Sequence, residues 1–254
     1  MKTRQSVKTR VSIVMPVLNE AGTLARTLSG LELDEECELI VVDGGSGDDT
    51  AEIARRFISE PTGRFISESA GRFKSGFTGS VIESQRGRGA QLHIGAGLAT
   101  GEILFFLHAD CVAPPRAIDA IRATMANGTI LAGAFDLAID SSRTIFRFIE
   151  FAANLRSRLT NVPYGDQGLF MRKADYVNTG GFSPIPLMED VEFALRLRKR
   201  GRVVFLKDRI TSSPRRWEEE GIVYTTVRNW TLVFLYTVFG VSPRALKRRY
   251  RDAR

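Results

Sequence analysis

Residues 38–43 read Glu-Leu-Ile-Val-Val-Asp and run straight into Gly-Gly-Ser-Gly, and residues 103–110 read Ile-Leu-Phe-Phe-Leu-His-Ala-Asp and run into Cys-Val-Ala-Pro-Pro. Each is a short, dense apolar run that stops at an aspartate, Asp43 in the first and Asp110 in the second. Apolar at consecutive rather than alternate positions, they read as strands buried on both faces of a parallel sheet. In open α/β sheets ligands bind beyond the carboxyl ends of the strands, where these two aspartates would stand. A third acidic feature, Glu189-Asp190, opens a charged amphipathic stretch that runs to Gly201. Carboxylates gathered at such a place suit a divalent metal and a phosphorylated ligand, and hence an enzyme.

Working outward, residues 11–16 read as the first strand, and Asn19-Glu20 opens a helix in which Leu24, Thr27, Leu28 and Leu31 recur at helical spacing. Asp48-Asp49 place negative charge in the first turn of the next helix, favourable against its dipole. A strand over 80–84, a Gly-rich helix around Gln91 and the strand ending at His108 continue the alternation, and Pro114-Pro115 start another helix. Gly95-Ala-Gly97-Leu-Ala-Thr-Gly101 loosely resembles a dinucleotide fingerprint but falls in a helix, where close packing on the sheet explains it better.

Further on, residues 130–140 suggest an exposed or edge strand, followed by a helix over 144–158, the loop Tyr164-Gly-Asp-Gln-Gly168 and a short strand over 169–172. The helix opened by Glu189, a short strand at 203–206, Ser213-Pro-Arg-Arg-Trp217 and a long aromatic helix from about 222 to 241 complete the pattern. The expected organisation is one α/β domain: a nucleotide-binding half over 10–112, an acceptor half over 113–220, and a C-terminal helix with a basic tail over 221–254. Copies of Arg-Phe-Ile-Ser-Glu start at Arg56 and Arg64 and a variant, Arg-Phe-Lys-Ser, at Arg72, spaced by eight residues, with 58–79 the inserted segment. They read as a surface insertion to which no chemistry is assigned.

At 254 residues and 43% hydrophobic content the chain can bury a full core. Its two cysteines, Cys37 and Cys111, fit neither a zinc spacing nor a disulfide framework and suit a reducing cytoplasm. The basic start lacks the apolar core of a signal peptide, and no stretch is long enough to span a bilayer without polar interruption. The net charge of +7 is concentrated at the end, where Arg244, Lys247, Arg248, Arg249, Arg251 and Arg254 face only Asp252. No nucleic-acid recognition module accompanies that charge, so nucleic acid is not an expected partner. The aromatic residues of 222–239 beside the basic tail suit either an anionic bilayer surface, the inner face of the cell membrane, or packing on the domain or in a homodimer.

Taken in order, residues 11–20, residues 39–50, the helix after Arg86-Gly-Arg88, His108-Ala-Asp110 and Glu189-Asp190 resemble the inverting family 2 glycosyltransferases of GT-A fold. The resemblance covers roughly residues 10 to 220. His108-Ala-Asp110, Tyr164-Gly-Asp-Gln-Gly168 and Pro186-Leu-Met-Glu-Asp190 are similar to a bacterial subfamily of that group. The resemblance implies a mostly parallel central sheet flanked by helices and a nucleotide-diphospho-sugar donor, UDP- or GDP-linked. It also implies a divalent cation, Mn²⁺ or Mg²⁺, which neutralises the departing diphosphate.

Residue by residue, Asp110 inherits the metal position of the family's D-x-D motif, and His108 replaces the carboxylate nearer the ribose. Asp43 resembles the acidic residue that hydrogen-bonds the base, and Pro16, Leu18 and Glu20 would line the base and ribose. Arg86 or Arg88 would meet the phosphates. Asp190 stands as the general base for the acceptor hydroxyl, ionised at the start of a helix, with Glu189 orienting the loop or the acceptor. Asp166 and Gln167 would approach the sugar or acceptor, as would Arg215, Arg216 and Trp217, where Ser213 replaces the Gln of processive members. Each has a plainer reading: a helix cap for Asp110 and Glu189-Asp190, surface charge for Arg86 and Arg88, core packing for Trp217. The function implied is transfer of a sugar to an unidentified, possible lipid-linked acceptor, with a catalytically impaired nucleotide-sugar-binding or scaffold protein as the alternative.

Overall fold

A computed structural model describes residues 8–60 and 76–250. The body of the eight-residue repeat, 61–75, and the last four residues of the basic tail lie outside the described residues. In chain order the elements are β1 (Val11–Val17), α1 (Ala21–Ser29), β2 (Cys37–Asp43), α2 (Thr50–Ser59), β3 (Thr78–Glu83), α3 (Arg88–Leu98), β4 (Ile103–Phe106) and β5 (Cys111–Val112). They continue as α4 (Ala117–Met125), β6 (Ile130–Ile139), α5 (Thr144–Thr160), β7 (Phe170–Arg172), α6 (Lys173–Thr179), α7 (Glu189–Arg198), β8 (Arg202–Ser212), α8 (Arg215–Glu220), α9 (Ile222–Thr237) and α10 (Pro243–Arg249).

The eight strands form one sheet in the order β3-β2-β1-β4-β7-β6-β8-β5. The first four are mutually parallel, while β7 pairs antiparallel with both β4 and β6. Consecutive apolar residues in β1, β2 and β4 serve two cores at once, because successive side chains leave a strand on opposite faces. Ile13, Met15, Leu39, Val41 and Phe105 join α1, α2 and α4 on one face. Val14, Ile40, Val42, Leu104 and Phe106 join α3, α6 and α7 on the other. Gly95 permits the second contact, since a Cβ there would come within 2.4 Å of Val14.

The later half departs from the expected pattern. β6 is an inner strand between β7 and β8, with most of its residues buried, and not an edge. β8 runs eleven residues rather than four, pairing in parallel with β6 across a register shift between Phe135 and Asp136. The aromatic helix ends at Thr237, and the chain then turns into α10, where Pro243 sits in the first turn and the Ser242 side chain caps Ala245. The start of the expected tail is therefore folded: Leu246 is fully buried in a cluster with Leu187, Met188, Val191 and Leu232.

Candidate active site

Beyond the carboxyl ends of β1 and β2, short polar bonds shape the loops. The Asp43 carboxylate accepts from the backbone N–H and the hydroxyl of Ser46, at 3.1 and 2.6 Å. The Ser46 hydroxyl also lies 2.9 Å from the Asn19 N–H, and the Asn19 side chain accepts from Gly47 N–H. Gln91, buried in α3, donates to the carbonyls of Val17 and Val42 at 2.9 and 2.8 Å, joining the two strand ends from beneath. Pro16 is buried within β1. Glu20 is buried, and its Oε2 accepts from Arg215 at 2.8 Å, a bond across 195 residues that fastens α8 to the first half.

Next to these loops is a groove lined by Leu18, Arg86, Arg88, Lys247 and Tyr250. Through Arg88, Leu187, Arg216 and Tyr250 it continues into a cavity of about 180 Å³. This cavity collects Arg88 from α3, His108 and Asp110 from beyond β4, Tyr164 and Asp166 from the loop after α5, Asp190 from α7, and Arg216 and Trp217 from α8. Residues as far apart in sequence as Arg88 and Tyr250 thus share one concave wall, as a ligand site requires.

Asp190 is held in place by the backbone. Its Oδ2 accepts from Gly165 N–H at 2.9 Å and its Oδ1 from Val191 N–H at 2.8 Å. Burial disfavours its charge, but Arg88, these two N–H groups and His108 outweigh it and hold the carboxyl below the usual aspartate value. Gly165 is required here: a Cβ would lie 2.7 Å from His108 and 3.2 Å from Asp190. Glu189, pointing the other way, is buried and ion-paired with Arg88 Nε. Burial pushes Glu189 up against the pull of Arg88.

Asp166 behaves oppositely. Burial, and after it the nearby charge of Asp190, push it up to about 6. Its Oδ1 is buried with no hydrogen-bond partner among the described residues. Gln167 turns inward: its Oε1 accepts from Ser157 Oγ at 2.7 Å and from Tyr164 N–H at 3.0 Å, so it braces the loop instead of facing the cleft. Gly168 completes the turn at φ +59°, packed against Ile210 and Phe105. Trp217 lines the cleft with one edge, packs edge-on against Phe146 at 5.9 Å, and donates its Nε1–H to Thr226 at 3.2 Å. Arg216 hydrogen-bonds the Tyr250 hydroxyl.

A cation could be held at the centre of this wall. His108, Asp110 and Cys111 each offer a donor atom within 4.8 Å of the others. The Cys111 thiol is a soft donor, poorly matched to a hard cation. Asp110 and the unpartnered Asp166 oxygen supply the carboxylate chemistry that Mg²⁺ and Mn²⁺ prefer, with substrate phosphates completing the shell.

Several lining groups carried no sequence signal of a role. Tyr250 lay in the basic tail, and Asn229, Leu232 and Val233 lay in a helix read only as aromatic. Tyr164, which lies under the Arg156 guanidinium at 3.2 Å, opened a quoted motif but was given no role of its own.

Residues 12–182 match the family described as glycosyl transferase family 2. The chain belongs to that family. It is 30% identical over 128 residues to an undecaprenyl-phosphate 4-deoxy-4-formamido-L-arabinose transferase of Pseudomonas savastanoi pv. phaseolicola, a match covering 48% of this chain and 34% of that protein. The chain thus spans about a third of the length of that curated relative. Among solved structures, a mannosyltransferase of Pyrobaculum calidifontis in complex with GDP-Man and Mn²⁺ superposes with a TM-score of 0.64 at 20% identity, covering 98% of this chain and 67% of that one. S. aureus TarS 1-349 in complex with UDP gives 0.60 at 16% identity, covering 89% and 65%. At these identities the likeness is one of fold, and it is the mostly parallel GT-A architecture implied by the sequence motifs.

Proposed function

We propose that this protein transfers a sugar from a nucleotide-diphospho-sugar to an acceptor hydroxyl with inversion, assisted by Mn²⁺ or Mg²⁺. The observation that carries the reading is the shared cleft: an ionised, backbone-held Asp190 and the acidic pair Asp110 and Asp166 line one cavity beside Arg88. The nucleotide would lie along the groove of Leu18 and Arg86, beyond Asp43, with its diphosphate reaching Arg88 and Arg216. Asp110 and Asp166 would hold the cation, which when bound offsets the charge of the leaving diphosphate. Asp190 takes the proton of the acceptor hydroxyl as its oxygen bonds the anomeric carbon. The carbon–oxygen bond to the diphosphate breaks, and the electron pair leaves with the nucleotide. The Gly165 and Val191 N–H groups keep Asp190 oriented throughout.

The relative from P. savastanoi is named for an undecaprenyl-phosphate acceptor, which supports a lipid-linked acceptor here and a protein working in the cytoplasm at the inner face of the cell membrane. Among the described residues no helix is long and apolar enough to cross a membrane. His108, standing where the family has a carboxylate, favours a second reading in which the chain binds nucleotide-sugars without turnover. One experiment separates the two. Hydrolysis or transfer of UDP- and GDP-sugars is measured with Mn²⁺, alongside nucleotide-induced thermal shifts. Turnover that falls about 10²–10⁴-fold in Asp190→Asn with the thermal shift intact supports transfer. A wild type that shows the shift without turnover supports the binding protein.

A further inference from the structure

A second cavity opens behind Tyr164 and Asp166, and three features around it belong together. It runs between α5 and α9, walled by Ile149, Ala153 and Arg156 on one side and by Trp230 on the other, with Trp217 at its inner end. Tyr164, Asp166 and Trp217 also line the active-site cleft, so the two spaces share a wall. Trp230 is 51% exposed, which carries the cavity out to the surface of α9.

The flanking helices are apolar on the outside as well as the inside. On α5, Ile145, Phe148, Phe151, Leu155 and Leu159 recur at intervals of three or four residues and are 42–75% exposed. On α9 and its C-terminal cap, Val223, Val227, Trp230, Phe234 and Val238 do the same. A surface of this size and regularity marks an interaction site.

Charge selects the partner. The only acidic residue of α5, α9 and α10 is Glu150, which is buried and paired with Arg147. Of the exposed cations on these helices, Arg147 and Arg158 are paired with Glu150 and Asp136, while Arg244 and Arg248 of α10 make no ion pair among the described residues. A second copy docking face to face would set cation against cation, whereas anionic headgroups would be attracted. Within the cavity, Arg156 lies over the Tyr164 ring near Asp166 and directs its hydrogen bonds to neutral acceptors, Ser157 Oγ at 2.8 Å and Val162 O at 3.3 Å, with no ion pair among the described residues.

Building on the lipid-linked acceptor read above, we propose that the α5–α9 cleft receives the apolar chain of an anionic lipid from the bilayer, with Arg156 holding its anionic group beside Asp166. The stripes of α5 and α9 seat the protein on the membrane, and the cavity between them leads the headgroup toward Asp190.

The chain contains two tryptophans, Trp217 and Trp230, and both line this cavity, so their emission reports on it directly. The full chain is mixed with vesicles of phosphatidylcholine and phosphatidylglycerol in which the phosphatidylglycerol chains carry bromine, a short-range quencher. Quenching is expected in the wild type and also in Trp230→Phe, where only the deeper Trp217 reports. Vesicles of brominated phosphatidylcholine alone, and inorganic phosphate without a chain, should leave Trp217 bright. Arg156→Gln should raise the lipid concentration needed by about tenfold or more, and Arg156→Lys by less. Phe148→Ser/Phe151→Ser/Leu155→Ser should weaken quenching similarly while leaving the nucleotide-induced thermal shift unchanged. A bright Trp217 with anionic vesicles would overturn the proposal. So would equal quenching by both lipids, or a dimer that dissociates in the triple variant while its vesicle binding is unaltered. Quenching that persists in a protein without sugar turnover would leave the lipid cleft standing and remove the transfer reading instead.

Discussion

The two halves of the molecule build their shares of the cleft by different means. Up to Val112 the site is made from strand ends: β1, β2 and β4 lie parallel, and their loops carry Leu18, Asp43, His108 and Asp110 to one edge of the sheet. From there to Tyr250 the strands pair out of sequence order, and the cleft carboxylates Asp166 and Asp190 sit in a loop and a helix start held by polar bonds between different elements. A strand end is positioned by apolar burial spread over many residues, whereas a loop like 164–168 depends on a few hydrogen bonds. The second half should therefore be the more sensitive to single substitutions.

The seam between the halves offers the sharpest test of that difference. Arg88 of the first half pairs with the buried Glu189 of the second. Arg88→Met should cost about 3–5 kcal/mol in denaturant unfolding, because it strands a buried carboxylate. Arg88→Met/Glu189→Leu should recover most of that stability without recovering sugar turnover. Arg55→Met, which breaks an exposed pair with Glu83 inside the first half, should cost less than about 1 kcal/mol. Equal losses in Arg88→Met and Arg55→Met would erase the distinction.

The halves should also answer pH with opposite signs. In the first, bidentate hydrogen bonds from Arg122 at 2.8 and 2.9 Å hold Asp34 well below the usual carboxylate range. That stabilisation is present above the ordinary aspartate value and is lost as pH falls through it. In the second, Asp166 is pushed up from 3.8 to about 6, so folding favours its protonated form. That stability is present in acid and is lost as pH rises from about 4 to about 6. In thermal melts with EDTA, Asp34→Asn should flatten the acid limb. Asp166→Asn should remove the decline on the other side and raise stability at neutral pH by roughly 3 kcal/mol. Identical pH profiles in the two variants would contradict the assignment.

The sequence was legible where burial on both faces made the pattern local. β1, β2 and β4 stood out as unbroken apolar runs, and α7 through its acidic start and basic end. β6 was read as an edge because Asp136 and Asp140 interrupt it, yet Asp136 is met by Arg158 at 2.8 and 2.9 Å. β8 was cut short because Lys207, Asp208 and Arg209 break the run, and there the pairing with β6 shifts register, admitting Lys207 and Asp208 as extra residues. Gln167 looked like a ligand-facing amide between glycines. Its partners, Ser157 and Phe135, are set by tertiary packing that no local pattern reveals. α10 was hidden by its own charge, since Leu246 and Tyr250 are the only large apolar or aromatic side chains among its basic residues.

The central claim is that Asp110 serves the cation and nucleotide while Asp190 serves the acceptor, across one cleft. Calorimetric titration of UDP and GDP with and without Mn²⁺, in the wild type, Asp110→Asn and Asp190→Asn, tests it most directly. Mn²⁺-dependent tightening that vanishes in Asp110→Asn and survives in Asp190→Asn, which nevertheless fails to transfer sugar, is the predicted result. Tightening that is insensitive to Asp110→Asn, or sugar transfer at the wild-type rate in Asp190→Asn, would contradict the account.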